Sequence, residues 1–153
     1  MSSSQTRRRA RRIFMKGMVA THNFVYRRSG GKIGGRMQKL PVLLLTTTGR
    51  KSGKSRTTPL LFVRDGADVI VVASNGGSPT APAWWLNLQS EPSAEIEIGR
   101  DRARVRARKA SPDERARLWP LLTAGYAGYD TYVTRTTRTI PVVILEPVTS
   151  PAA

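Results

Sequence analysis

The chain has 153 residues and 39% hydrophobic content, which is enough to bury one core and too little for two. It has no cysteine and a single histidine, His22, so disulfides and thiolate chemistry are excluded and little remains for a metal site or a His-based triad. The net charge of +16 belongs to residues 1–64, which hold 16 of the 26 basic residues and no acid, whereas basic and acidic residues balance from Asp65 onward. This pattern favours anion binding in two local places over a broad nucleic-acid face.

No apolar run approaches the roughly 20 residues that a bilayer-spanning helix needs. Residues 11–16 are similar to a twin-arginine export signal, but His22, Asn23 and further arginines follow and no small-residue cleavage site is present. We therefore expect a cytoplasmic protein.

Residues 1–6 are polar and predict disorder, whereas residues 7–26 predict a helix. Its apolar stripe contains Phe14, Met18, Thr21 and Val25, and the other face is rich in arginine and lysine. Two interpretations remain open. The helix either lies on an anionic membrane surface or packs on its own domain with the charged side solvated. Glycine-rich residues 30–35 then predict a flexible junction, which divides the chain into an arm (1–35), a folded domain (36–148) and a tail (149–153).

The folded domain shows the alternation and turn signals of an antiparallel sheet. Strands are predicted at residues 41–48, 57–64, 68–74, 93–98, 102–110 and 139–145. The fourth and fifth of these form a hairpin whose outer face sets glutamates against arginines, and we expect that face to be solvated. Ser111 with Glu114 predicts a capping box that starts a helix to about Gly125. The fold class is α+β, mainly β: a small barrel with helices around it.

The loop at residues 49–56, GRKSGKSR, is the most informative segment. It is not a phosphate loop of the nucleotide-hydrolase type, because only three residues separate its first glycine from Gly53-Lys54-Ser55 and no helix follows. What remains is a glycine-hinged loop that presents Arg50, Lys51, Lys54 and Arg56 to an anion such as a phosphate or a polycarboxylate. A charged surface hairpin is the equally open alternative.

Three aromatic or small-residue segments could form the walls of a pocket. Residues 73–77 (ASNGG) offer small residues to which a flat ring could approach closely. Trp84 and Trp85 point about 100° apart on a helix, so one could enter the core while the other faces a cleft, although burial of both in the core is the more common arrangement. Tyr126, Tyr129 and Tyr132 are spaced by three and predict one helix face, where they could hold an aromatic substrate and donate a proton, with nearby glycines allowing a mobile lid.

Several motifs, in this order, resemble the deazaflavin-dependent nitroreductase family of actinobacteria: LLLTTTGRKSG at 43–53, Arg56 with Pro59-Leu60, VVAS at 71–74, Gly76-Gly77, WWLNL at 84–88 and RTIP at 138–141. The resemblance implies a split β-barrel of the FMN-binding type that binds coenzyme F-420, an 8-hydroxy-5-deazaflavin with a phospholactyl-oligoglutamate tail. It also implies hydride transfer to a quinone, enone or nitroaromatic acceptor. The basic helix resembles the membrane-associating N-terminus of some relatives, which reduce menaquinone at the bilayer.

The resemblance also implies the site residues. Those expected to bind the cofactor are Arg50, Lys51, Ser52, Arg56, Thr57, Thr58, Pro59, Leu60, Leu61, Val72, Ala73, Ser74, Asn75, Ala83, Trp84, Trp85, Leu86, Asn87 and Tyr129. Those expected to act in catalysis are Ser74, Tyr126, Tyr129 and Tyr132, and no metal is expected. Leu61 and Asn75 depart from the family's nitroreductase, which has a tyrosine and usually a lysine at the matching positions, and the departure concerns the acceptor rather than the cofactor.

The expected partners are a small-molecule electron acceptor and an anionic membrane surface, without specific nucleic-acid binding, in a monomer or a dimer. Three other functions stay open at this point. The protein could be a split-barrel protein that binds FMN, a non-catalytic carrier of a cofactor or fatty acid, or a basic nucleic-acid binder.

Overall fold

The computed structural model describes residues 3–32, 35–37 and 40–148. In chain order the elements are α1 (Ser3–Ser29), β1 (Arg36–Met37), β2 (Leu40–Thr48), β3 (Ser55–Leu61), β4 (Val63–Asp65), β5 (Asp68–Val72), a 3-10 turn (Asn75–Gly77), α2 (Ala83–Ser90), β6 (Ser93–Ile98), β7 (Asp101–Lys109), α3 (Pro112–Gly125), α4 (Gly128–Thr134) and β8 (Val142–Pro147). Every strand pairing is antiparallel, in the order β1-β2-β6-β7-β8-β5-β4 with β3 also paired to β2. The predicted class, a mainly antiparallel barrel with helices packed around it, is confirmed.

Strands β5 and β8 contain the unbroken apolar runs 69–72 and 142–145 because both faces of this part of the sheet are covered. Val71 and Val143 enter the barrel interior, where Trp84 and Trp85 of α2 also pack. The alternate residues of the same strands, such as Ile70, pack instead against α3 and α4. Because successive side chains of a strand point to opposite faces of the sheet, each of these strands contributes side chains to two separate cores.

The β6–β7 hairpin has the predicted register, with Glu95 opposite Arg104 and Glu97 opposite Arg102. Its inner face packs in the barrel core through Ile96 and Val105. The expectation of a wholly solvated outer face is wrong at Glu97, whose side chain is only 7% exposed. The C-terminal end of α1 covers this carboxylate, and Arg27 donates three hydrogen bonds to it at 2.8–3.2 Å.

Several predicted boundaries shift by a few residues. The predicted strand 57–64 is interrupted at Phe62, whose amide bonds to the carbonyl of Pro41 and separates β3 from β4. The β5 ladder ends at Val72 rather than at Ser74, and β8 begins at Val142 rather than at residue 139. By contrast, the capping box of α3 is confirmed, because the side chains of Ser111 and Glu114 each bond to the other's backbone amide.

Helix α1 differs most from prediction. It begins at Ser3, so residues 3–6 are helical rather than disordered. The predicted apolar stripe does not pack on the domain, since Phe14 is 69% and Met18 51% exposed, while the buried positions are Asn23 and Tyr26. The Tyr26 hydroxyl accepts from the Gly99 amide at 2.7 Å and lies 3.1 and 3.3 Å from two backbone carbonyls of the sheet. The buried hydrogen bonds of Tyr26 therefore determine which face of α1 packs on the sheet. The C-terminal half of α1 packs on the sheet, whereas the sequence predicted a separate arm over residues 1–35.

The predicted tail, residues 149–153, and part of the predicted glycine junction lie outside the described residues. Among the residues described, no helix combines the length and apolarity needed to cross a membrane.

Candidate functional site

A cavity of about 1260 Å³ opens between α1, the β2–β3 hairpin, the turn at Asn75–Gly77, the start of α2 and the tyrosines around α4. Pockets for single small molecules commonly measure about 300–1,000 Å³. This cavity can therefore accommodate an elongated ligand, or two ligands in contact.

The basic loop forms one end of the cavity. The Gly49 amide bonds to the carbonyl of Lys54 at 2.8 Å, and Gly53 has a φ of +69°, which an L side chain rarely adopts. From α2, the Asn87 side-chain oxygen accepts a hydrogen bond from the Arg50 amide at 3.1 Å. Asn87 also bonds to Thr47 at 3.1 Å, so it fixes the loop against the barrel. The predicted wall residue Asn87 thus lines the cavity and positions a cation.

Five cations line the cavity: Arg50, Lys51 and Arg56 from the hairpin, and Arg12 and Lys16 from α1. In the part of the chain that the structure describes, none of the five belongs to an ion pair with a carboxylate. Uncompensated positive charges around one concave surface are the electrostatic signature of an anion site. The alternative of a plain charged surface hairpin does not account for the convergence of two elements on one cavity.

The next part of the wall is largely apolar. Most of the predicted cofactor residues line it, namely Thr57, Thr58, Pro59, Leu60, Leu61, Val72, Ser74, Asn75, Ala83 and Trp84. Trp84 and Trp85 both pack in the barrel core, with the rings 6.5 Å apart, but of the two only Trp84 also lines the cavity. Three predicted wall residues are not among those that line the cavity. Ala73 and Trp85 pack in the barrel core, whereas Leu86 of α2 belongs neither to the cavity lining nor to that core.

The turn that presents Ser74 is held by a single arginine. The Arg138 guanidinium donates hydrogen bonds to the carbonyls of Ala73 at 3.3 Å, Ser74 at 2.9 Å and Ser78 at 2.9 Å. Asn75 follows with a positive φ of 46° and bonds through its side chain to the Thr80 carbonyl. Because the guanidinium fixes the backbone on both sides of the turn, Ser74 is held at the cavity wall.

Tyr126, Tyr129 and Tyr132 meet at the far side of the cavity, but not on one helix as predicted. Tyr126 ends α3, and the other two belong to α4, which begins at Gly128. The ring centroids are 4.9–6.3 Å apart, and the hydroxyls of Tyr126 and Tyr132 share a hydrogen bond. A Cβ at Gly128 would meet the Tyr126 ring at 2.7 Å, so this glycine permits the cluster. We call these three residues the tyrosine cluster.

Two phenols of the tyrosine cluster, Tyr126 and Tyr129, have a raised pKa. The hydrogen bond with Tyr132, followed by burial, raises the pKa of Tyr126 above its usual 10.0. Burial raises the pKa of Tyr129 further still. Each of these phenols is therefore a neutral hydrogen-bond donor at physiological pH.

The sequence analysis missed the contribution of α1 to the cavity. Its lining residues there are Arg12, Met15, Lys16, Met18, Val19 and His22. Their spacing of three and four is that of one helix face, which the search for an apolar stripe did not detect because the face mixes cations with methionines. Gly49 of the basic loop and Gly76 of the predicted 73–77 segment also line the cavity, whereas Val42, Thr47 and Pro82 complete the lining and were not predicted.

An antiparallel barrel whose helices enclose a cavity with a cationic end, a largely apolar wall and an aromatic end defines a split-barrel protein. The chain belongs to the F420H(2)-dependent quinone reductase family, whose model matches residues 18–147. The match begins inside α1, in agreement with the packing of that helix on the barrel.

Individual relatives agree with this assignment. A protein of Mycobacterium tuberculosis (strain ATCC 25618 / H37Rv) is 49% identical over 108 residues, which are 71% of this chain and 91% of the relative. A quinone reductase of the same family and strain is 42% identical over 132 residues, covering 84% of this chain and 89% of its own. Among solved structures, an F420-H2 dependent reductase (FDR-A) has a TM-score of 0.64 at 39% identity, covering 69% of this chain and 94% of that one. A chain described as a domain-swapped dimer has a TM-score of 0.65 at 32% identity, with 94% and 98% covered.

Proposed function

We propose that the protein binds coenzyme F-420 in the described cavity and reduces a quinone with it. One observation supports this best: cations without a carboxylate partner among the described residues, a largely apolar wall and the tyrosine cluster line a single cavity of about 1260 Å³. The family membership of the chain supports the same coenzyme and the same acceptor class.

The residues present fit the coenzyme. Its anionic phospholactyl-oligoglutamate tail matches the cationic end, where Arg50, Lys51 and Arg56 have no carboxylate partners among the described residues and Ser52 adds a hydroxyl. Its planar ring matches the wall formed by residues between Thr57 and Trp84, where most of the lining side chains are apolar or small. Tail and ring sites are parts of one continuous surface, as an elongated ligand requires.

When bound in its reduced form, the coenzyme supplies a hydride from C5 of the deazaflavin. The protein's own residues then have three tasks. They hold the acceptor against the ring between Ser74 and the tyrosine cluster, exclude water, and donate a proton. A quinone that receives one hydride and one proton becomes a hydroquinone, and Tyr126, hydrogen-bonded to Tyr132, is the proton donor with the most suitable placement.

The coenzyme assignment is tested by titrating the purified protein with oxidised coenzyme F-420 and, separately, with FMN, while following tryptophan fluorescence. Trp84 lines the cavity, so occupation of the ring site should quench its emission. We expect saturable binding of the deazaflavin in the micromolar range or tighter and no comparable binding of FMN. Preferential binding of FMN, or binding of neither, would overturn the proposal.

A matched pair of variants tests the tail site. Arg56→Gln removes a cation that lines the cavity, whereas Arg104→Gln removes one from the exposed strand β7. Loss of one charge-assisted contact should weaken coenzyme binding by about tenfold or more in the first variant only. Equal affinities in both variants would contradict the placement of the tail.

The proposal includes an anionic membrane surface as the place where a lipid quinone is met. The side of α1 away from the cavity exposes Ile13 (63%), Phe14 (69%) and Phe24 (66%). Arginines stand among these residues, and the chain has no acidic residue before Asp65. An apolar strip flanked only by cations matches the interface of an anionic bilayer.

Co-sedimentation with vesicles tests this surface. Phe14→Ser/Phe24→Ser should abolish binding to phosphatidylglycerol-containing vesicles. A control, Leu121→Ser/Val133→Ser, removes exposed apolar side chains from α3 and α4 and should bind as the unaltered protein does. Equal sedimentation of both variants would refute a role for the strip.

The acceptor range beyond quinones follows from the tyrosine cluster. Phenol rings at 4.9–6.3 Å from one another can stack on any flat acceptor, so enones and nitroaromatics are further candidate substrates. Steady-state assays with each class, and with the reduced coenzyme as donor, measure this range.

A further inference from the structure

The N-terminal half of α1 extends over the cavity without being held by apolar burial. Residues 5–18 are all exposed, whereas the contacts that anchor the helix come from Asn23, Tyr26 and Arg27 nearer its C-terminal end. Arg12 and Lys16 nevertheless line the cavity together with the basic loop. An interaction other than apolar burial is therefore needed to hold the N-terminal half of α1 over the cavity.

The positive charges of α1 and of the basic loop oppose the position of the helix over the cavity. Arg12 and Lys16 face the same cavity as Arg50, Lys51 and Arg56, and no carboxylate of the described residues pairs with any of them. Like charges around one concave surface repel each other, and an anion bound between them replaces this repulsion with attraction. Two cations spaced by four on one helix face present their donors side by side to such an anion.

We propose that Arg12 and Lys16 complete the anion site from the side of α1, so that a polyanion bound between them and the basic loop fixes the N-terminal half of the helix over the cavity. The inference rests on the proposed function in one respect: the polyanion is the phospholactyl-oligoglutamate tail of the coenzyme. Under the proposal, coenzyme binding and closure of the cavity by α1 are one coupled event.

The two faces of α1 separate this role from membrane contact. Arg12 and Lys16 lie on the cavity side, whereas Phe14 and Phe24 are exposed and do not line the cavity. Removing the cavity-side cations should therefore change coenzyme binding, while removing other cations of the same helix should not.

The test compares Arg12→Gln/Lys16→Gln with Arg7→Gln/Arg11→Gln, which removes the same charge from residues that do not line the cavity. Glutamine has nearly the helix propensity of the residues that it replaces. Each protein is titrated with coenzyme F-420 and with the same deazaflavin lacking its tail. We expect the first variant to bind the complete coenzyme about fivefold to tenfold more weakly at low salt and the tail-less form normally. The control should match the unaltered protein for both ligands.

Equal affinities in the two variants, or an equal loss in both, would overturn the role of Arg12 and Lys16. Amide hydrogen exchange gives a readout independent of affinity. Exchange over residues 5–18 should slow when the complete coenzyme binds, and this protection should be lost in Arg12→Gln/Lys16→Gln but kept in the control.

A failure of the proposed function is distinguishable from a failure of this inference. If the unaltered protein binds neither form of the deazaflavin, the coenzyme assignment fails, and inorganic tripolyphosphate then probes the anion site directly. Slower exchange over residues 5–18 with tripolyphosphate, dependent on Arg12 and Lys16, supports the site. Unchanged exchange overturns it.

Discussion

Replacing Tyr26 by phenylalanine should destabilise the protein although the ring itself is kept. Tyr26 is 1% exposed, and its hydroxyl accepts from the Gly99 amide at 2.7 Å while it lies 3.1 Å from the Val42 carbonyl and 3.3 Å from that of Glu97. The phenylalanine would leave at least one amide and one carbonyl without this partner. A buried group left unsatisfied costs about 1–3 kcal/mol, so we expect a loss of about 2–4 kcal/mol in the free energy of unfolding.

Urea denaturation followed by circular dichroism measures this loss, and thermal unfolding should show a fall in Tm of roughly 4–12 °C. Tyr129→Phe is the matched control, since Tyr129 is also buried but its raised pKa is caused first by burial and not by a hydrogen bond. We expect the control to change stability by less than about 1 kcal/mol. Equal effects of the two substitutions, or no loss for Tyr26→Phe, would refute the anchoring of α1 through the Tyr26 hydroxyl.

Three further predictions follow from single contacts. Hydrogen bonds from Arg108 and from the Ser111 amide lower the pKa of Glu114 from 4.5 to about 2. Its contribution to stability is therefore complete above pH 4.5 and lost as the pH falls through about 2, so Glu114→Gln should show a smaller fall in Tm on acidification than the unaltered protein. Arg138→Met should release the turn at Ser74, seen as faster amide exchange there together with reduced turnover. Tyr126→Phe should lower turnover about tenfold or more without weakening coenzyme binding, and turnover of the unaltered protein should not decline between about pH 7 and 9.5, because the pKa of Tyr126 is raised.

Much of the fold follows from local signals in the sequence. The hairpin at residues 93–109 has strict alternation and one register that sets acids against arginines, and the capping box at Ser111 requires only two residues three apart. The strand ends were less predictable, because the break at Phe62 depends on a hydrogen bond to the distant Pro41 carbonyl.

Helix α1 shows why its packed face could not be predicted. Apolar periodicity selected Phe14 and Met18, but the face that packs is chosen by polar partners on other strands, such as Gly99 for Tyr26 and Glu97 for Arg27. Those partners are about 70 residues away in sequence, as for Arg27 with Glu97, and no local pattern encodes them.

The candidate site was predictable where a residue's own chemistry indicates its role. Arg50, Lys51, Arg56 and Trp84 line the cavity as expected, whereas Lys54 does not line it and Ala73 and Trp85 pack in the core. The direction of a side chain near a strand end or on a short helix depends on where that element stops, which the sequence left uncertain by a residue or two.

The central claim is that this chain reduces a quinone with coenzyme F-420, and a single-turnover experiment tests it most directly. Protein loaded with the reduced coenzyme is mixed with a quinone, and the absorbance of the oxidised coenzyme is followed in the absence of other reductants. We expect the coenzyme to be oxidised in one protein-dependent phase, much slower in Tyr126→Phe, with one hydroquinone formed for each coenzyme. Bound coenzyme that remains reduced in the presence of quinones would contradict the account and would leave the protein a carrier of the coenzyme.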